Sequence, residues 1–220
     1  MISRSVDGID FSCCGTMEEK NYTGAIPDNQ DGGIINAESF VECSDSETAM
    51  SFYSKARRRL LDVNHWQDLS GHSLAHFQLA DAYGNDVSGI VQEGYFFKID
   101  IPGPGTKTGD GFDWAKVEAI EEVTSLEVES LAIRVRPAPN PTSGEDSIAH
   151  FYSEESTSTF TVTREGNKIT AAIYDRNTKP NTDHDGPLDQ VRNVIGGIIG
   201  RFAFSKIQWK KLTNGLLEIE

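Results

Sequence analysis

Between residues 73 and 175 the apolar side chains of this chain recur at every second position, and turn chemistry separates the runs. Period two is the mark of strands with one buried face. Parallel neighbours need a crossover of a dozen or more residues, commonly a helix, and no helical pattern interrupts this stretch. An antiparallel, strongly curled sheet is therefore expected. Residues 73–80 place Ala75, Phe77 and Leu79 on one face, and 81–86 (Asp-Ala-Tyr-Gly-Asn-Asp) is a turn. Tyr95, Phe97, Ile99 and Ile101 line one face of the next strand, followed by a Gly/Pro loop over 102–111. A third strand over about 112–123 is read with Val117 and Ala119 inward. Leu131, Ile133 and Val135 then alternate with Ala132, Arg134 and Arg136, which sets the two arginines toward solvent. Three prolines at 137, 139 and 141 break the pattern. A long strand region is read over 147–164, a Gly-Asn hairpin over 164–168, and a last strand with Ile169, Ala171 and Ile173 inward.

The segments that flank this array read differently. Residues 34–43 form a strand. Ser44 and Glu47 have the spacing of a capping box, and behind them Ala49, Phe52, Tyr53, Ala56 and Leu60 form one helical stripe. Arg57, Arg58 and Arg59 fall in its last turn, where cations complement the helix dipole. Residues 62–72 form a short polar connection holding Trp66. From Asp185 the period returns to that of a helix, with Leu188, Val191, Ile195, Ile198, Phe202, Trp209, Leu212 and Leu216 on one stripe. Gly196, Gly197 and Gly200 each cost up to about 1 kcal/mol inside a helix. Either the helix is broken there and restarts near Ile198, or its backbone approaches another element closely. The expectation is an α+β fold of six or seven antiparallel strands around a long C-terminal helix, in one domain over 34–220. Residues 1–33 form an irregular N-terminal segment.

This element order resembles the helix-grip fold of the START-like, polyketide cyclase-dehydrase (SRPBCC) superfamily. The local resemblance is clearest at 44–70, which is similar to the family pattern Ser-Pro-Glu-x-Val followed by Asp-x-x-x-Trp-x-x-Trp-Ser. Asp45 stands in place of the proline, and Leu69 in place of the second tryptophan. The resemblance implies a cavity between sheet and C-terminal helix that holds a hydrophobic small molecule. Phe77, Phe97, Ile99, Ile133, Ile173, Ile198, Phe202 and Trp209 would form its apolar wall. His150 and Tyr152, or Trp66 at the mouth, would supply polarity and orientation. A cyclase, dehydratase or hydrolase using the same cavity is the enzymatic alternative. An acidic, co-chaperone-like interaction module is another, and a lipocalin-like barrel with an appended helix is the alternative fold. A cavity above about 300 Å³ favours a ligand, and a fully packed interior favours an interaction module.

Composition narrows the partners. With 20 basic and 34 acidic residues the formal charge is -14, which argues against a phosphate backbone or an anionic membrane surface. Cys13, Cys14 and Cys43 make neither a disulfide framework nor a zinc motif. With no apolar signal-like run in the first 30 residues, a cytoplasmic setting is expected. His72 and His76 on one strand face would stand about 13 Å apart, too far for one metal. Residues 181–186 imitate the front of a calcium loop, but Arg192 stands where a bidentate Glu belongs. The loop over 103–109 lacks the Gly-Lys-Ser/Thr ending of a phosphate loop. Cys43 has no His brought near it by sequence. No metal or cofactor is expected.

Overall fold

A computed structural model describes residues 19–71, 74–101, 108–181 and 198–218, with side chains in the last stretch from Phe204 onward. Seven strands form one sheet: β1 (Gly33–Glu42), β2 (His76–Ala80), β3 (Phe96–Asp100), β4 (Asp113–Thr124), β5 (Val128–Pro137), β6 (Thr157–Glu165) and β7 (Lys168–Thr178). The order across it is β1-β7-β6-β5-β4-β3-β2, and every pairing is antiparallel. Strands β2 to β7 form a meander, as the turn-linked pattern requires. Helix α1 (Ser46–Leu61), a 3-10 turn (Val63–His65) and the short α2 (Trp66–Ser70) carry the chain from β1 at one edge to β2 at the other. Helix α3 is described over Ile198–Leu216. The fold is the α+β helix-grip arrangement.

Both long helices pack on one face of the sheet. The buried stripe of α1 (Ala49, Phe52, Tyr53, Ala56, Leu60) joins Val117, Leu131, Ile133, Val135, Phe160, Val162, Ile169, Ala171 and Ile173 in a single core, with Leu212 and Leu216 from α3. Asp45, not Ser44, is the N-cap of α1: its carboxylate accepts from the Thr48 backbone N–H at 2.8 Å, and the Ser44 hydroxyl donates to it. Arg58 and Arg59 do fall in the last turn of α1, and two members of the cluster also bind beyond the helix. Arg57 pairs with Glu122 of β4. Arg59 donates to the carbonyls of Leu216 and Glu218, closing the end of α3.

Two strand readings need correction. A bulge between Val117 and Ala119 shifts β4 by one residue, so Val117 faces Val135, Ala119 faces Arg134, and Ile120 faces Ile133. A bulge bends its strand and reverses the alternation beyond it; Ile120, not Ala119, therefore packs on the core side. Residues 147–156 are not a strand, for they make only the isolated bridges Pro139–Ile148 and Tyr152–Pro180. Proline has no N–H to extend a ladder. Arg134 and Arg136 do leave the core face, but both pair with Glu118, and Arg134 also donates to the Ala25 carbonyl.

That contact belongs to the N-terminal segment, whose described part lies on the outer face of the sheet. Glu19 pairs with Arg176, Lys20 with Glu165, and Ile26 packs on Ala172 and Tyr174. The expected start of the C-terminal helix near Asp185, and Gly196 and Gly197, lie outside the described residues. A close approach is nonetheless present at Gly215, where an added Cβ would stand 2.2 Å from the Leu69 carbonyl oxygen of α2. Gly215→Ala should therefore destabilise the protein by about 1–3 kcal/mol, although alanine is the better helix former. Urea unfolding checks this. A gain in stability would mean that α2 and α3 do not touch there.

Candidate functional site

The concave face and α3 enclose a cavity. Ala75, Phe77, Phe97, Ile99, Val135 and Phe160 form most of its apolar wall, with Phe204 and Trp209 from α3. His150, Tyr152, Ser205 and Gln208 are among its polar lining. Of the lining residues, Ile101, Phe151, Ser158, Phe204 and Trp209 retain some exposure. Its volume is about 50 Å³, well under the roughly 300 Å³ of a preformed small-molecule pocket.

The sequence-derived site residues divide into three groups. Phe77, Phe97, Ile99, His150, Tyr152 and Trp209 line the cavity. Ile133 and Ile173 are core residues that do not. Trp66 is not at a mouth: it is fully buried, its ring centroid 5.4 Å from Phe77, 5.5 Å from Phe97 and 4.9 Å from Phe160. Its indole N–H donates to the Arg59 carbonyl, the last-turn position of α1, so no polarity is left for a ligand. The side chains of Ile198 and Phe202 lie outside the described residues.

The polar part of the lining is held from several elements. His150 Nδ1 accepts the Tyr152 backbone N–H at 2.9 Å, which leaves Nε2 as the protonated nitrogen of the neutral ring. The Tyr152 and Ser205 hydroxyls are 3.4 Å apart. Gln208, one turn on from Ser205, uses Oε1 to accept the Ala75 backbone N–H at 2.9 Å. That bond fixes the amide orientation. Its Nε2 is buried with no protein partner among the described residues, as are the hydroxyls of Thr157 and Thr178, also in the lining.

Sequence reasoning passed over Asp175. It follows Ile169, Ala171 and Ile173 at the next inward position of β7, so the alternation itself places a carboxylate against α3. It is fully buried, and the Trp209 indole N–H donates to it at 2.8 Å. Burial pushes its pKa up to about 6, against the lowering influence of hydrogen bonds from Ser158 and Trp209 and the charge of Arg176. A carboxyl poised near neutrality suits proton transfer, but Asp175 is absent from the lining, and Trp209, which holds it, is part of the wall.

The remaining motifs take structural roles where they can be seen. Cys43 is buried, and burial raises its thiol pKa, with Asp45 adding to the effect; this disfavours the nucleophilic thiolate. Asn181, first residue of the calcium-like loop, donates its amide to the Ile148 and His150 carbonyls. His72, His184, Cys13, Cys14, 182–186 and most of the 103–109 loop lie outside the described residues. Among the described residues no His, Cys, Asp and Glu side chains cluster as a metal site, and no helix is long and apolar enough to cross a membrane.

No family model matches the chain, and no curated protein matches it. Solved structures do. A hypothetical protein from Helicobacter pylori is 12% identical, covering 85% of this chain and 87% of that one, with a TM-score of 0.46. Truncated norcoclaurine synthase from Thalictrum flavum is 10% identical over 88% of this chain and 100% of that one, with a TM-score of 0.35. A conserved protein from Geobacillus kaustophilus is 13% identical over 81% and 95%, with a TM-score of 0.30. At these values the fold rests on the strand order and register above, and the neighbours carry no argument about activity.

Proposed function

We propose that this chain is a cytoplasmic member of the START-like, helix-grip superfamily that binds a small, largely apolar molecule between the concave sheet and α3. The observation that carries this reading is the lining: a mostly apolar wall that includes Gln208, whose buried amide nitrogen no described protein atom satisfies. A core that served packing alone would lose about 1–3 kcal/mol on such a group. An engineered apolar cavity of about 150 Å³ is what benzene occupies. A ring-sized ligand therefore enters a space of about 50 Å³ only as the wall gives way, and Phe204 and Trp209 are the partly exposed lining residues of α3.

Two other readings each have an observation. The small volume favours a packed module that works through its acidic surface. The raised pKa of Asp175 favours an enzyme in which Trp209 swings aside to admit substrate to the carboxyl. Native mass spectrometry of protein purified from its own cells separates the first reading from the interaction module. The binding reading predicts a co-purifying small molecule that an organic extraction removes. A single apo mass under the gentlest conditions, with no shift on adding apolar probes, would favour the interaction module.

A further inference from the structure

The charge and donor pattern of the cavity points to the kind of ligand it accepts. None of its described lining residues is Lys, Arg, Asp or Glu. Two carboxylates are bonded to lining residues: Asp175 accepts from the Trp209 indole, and Asp113 accepts from the Phe151 backbone N–H. An anion entering this space would meet a mostly apolar wall with carboxylates behind it and no Lys or Arg in the described lining, and His150 there accepts the Tyr152 N–H through Nδ1 as the neutral ring does. Buried charges persist only when paired, and each unpaired ion costs several kcal/mol even after relaxation.

Gln208 supplies a donor. Its Oε1 is committed to the Ala75 N–H at 2.9 Å, so Nε2 cannot exchange places with it and faces its surroundings as a donor. That nitrogen is buried, on a residue of the lining, and unpartnered among the described residues. Ser205, three residues earlier on the same helical face, brings its hydroxyl to within 3.4 Å of the Tyr152 hydroxyl. Hydroxyls adapt as donors or acceptors, whereas the amide N–H only donates.

Building on the binding function proposed above, we propose that the cavity selects an uncharged molecule carrying a hydrogen-bond acceptor, of the neutral carbonyl class, which Gln208 Nε2 receives, and that it rejects the carboxylate of the same skeleton. The site is a selector of neutral carbonyl compounds.

Three probes of one shape test this by calorimetry and ligand-observed NMR on the full chain at pH 7: acetophenone, ethylbenzene and benzoate. Acetophenone should bind about tenfold more tightly than ethylbenzene, the worth of one neutral hydrogen bond. Benzoate should bind at least about 100-fold more weakly than acetophenone. In Gln208→Met, acetophenone should fall to the level of ethylbenzene while ethylbenzene is unchanged. The melting curve of the variant is recorded first, because Ala75 loses its acceptor. If it does not fold, the wild-type series still decides. Benzoate binding as tightly as acetophenone would overturn the charge selection and leave the binding function intact. Ethylbenzene equal to acetophenone would overturn the role of Gln208. Failure of all three probes would overturn the binding function itself, and this inference with it.

Discussion

Trp66→Ala should destabilise the protein by about 3–5 kcal/mol, the cost of emptying a fully packed aromatic site. Trp66 has no exposed surface and is surrounded by Phe77, Phe97 and Phe160 at centroid distances of 4.9–5.5 Å. These rings come from β2, β3 and β6, so the indole joins the connecting segment to three strands of the sheet. Loss of its N–H also leaves the Arg59 carbonyl, near the end of α1, without that donor. For a chain of this size the melting temperature should drop by roughly 10 °C. Trp66→Phe should recover part of the packing but not the hydrogen bond, and so fall between the two. A loss under about 1 kcal/mol for the alanine variant would return Trp66 to the cavity mouth, where the sequence alone had placed it.

Asp175→Asn should raise stability at neutral pH, by roughly 3 kcal/mol from a pKa displaced from the ordinary carboxylate value near 4 to about 6. The sign follows from proton linkage. Between about pH 4 and 6 the folded protein keeps a proton on Asp175 that the unfolded chain has already released. Stability therefore falls as pH rises through that window, and the full cost is carried above it. Asparagine removes the charge and keeps an oxygen that can accept from Trp209, so the benefit should be largest at pH 7–8 and shrink toward zero below pH 4. Urea unfolding of both proteins across that range gives the difference curve. A destabilised variant at pH 7, or a benefit independent of pH, would show that the carboxylate is better solvated than its burial implies. The same variant bears on the enzymatic reading. Ligand binding should persist in Asp175→Asn, since the residue is outside the lining, whereas proton-transfer chemistry would be lost.

The architecture was legible because period two leaves little choice. Alternating runs joined by turns can only be an antiparallel meander, and the inward residues Leu131, Ile133 and Val135 or Ile169, Ala171 and Ile173 are core residues as their spacing implies. What was not legible depended on single backbone events. The bulge after Val117 has no signature in Glu118, yet it exchanges the faces of Ala119 and Ile120. Residues 147–156 carry an alternation of Ile148, His150 and Tyr152 that reads as strand, but their partners are Pro139 and Pro180. Asp45 outcompetes Ser44 as the cap because a carboxylate accepts from the helix N-terminus while the serine hydroxyl donates to it.

The site was less legible than the fold for a related reason. Aromatic wall residues such as Phe77, Phe97 and Trp209 follow from periodicity, but Gln208 gains its meaning from Ala75, 133 positions away. No local pattern could show that its oxygen is committed and its nitrogen is not. Asp175 was within reach: the inward register of β7 runs directly onto it, and a carboxylate on an inward position is itself a signal. It was passed over because the alternation was followed only through its apolar members.

On the proposed binding function, the concave face and α3 hold a small molecule at Gln208. The most direct measurement is a chemical-shift titration of the isotopically labelled protein with acetophenone. The account predicts that the Gln208 side-chain amide protons move downfield, with the Trp209 indole N–H and the methyl groups of Ile99 and Val135 shifting at the same ligand concentration. The Trp66 indole N–H and the outer-face residues Ala172 and Tyr174 should stay in place. Shifts spread over the outer face, or a Gln208 amide that does not respond while the ligand saturates, would contradict it.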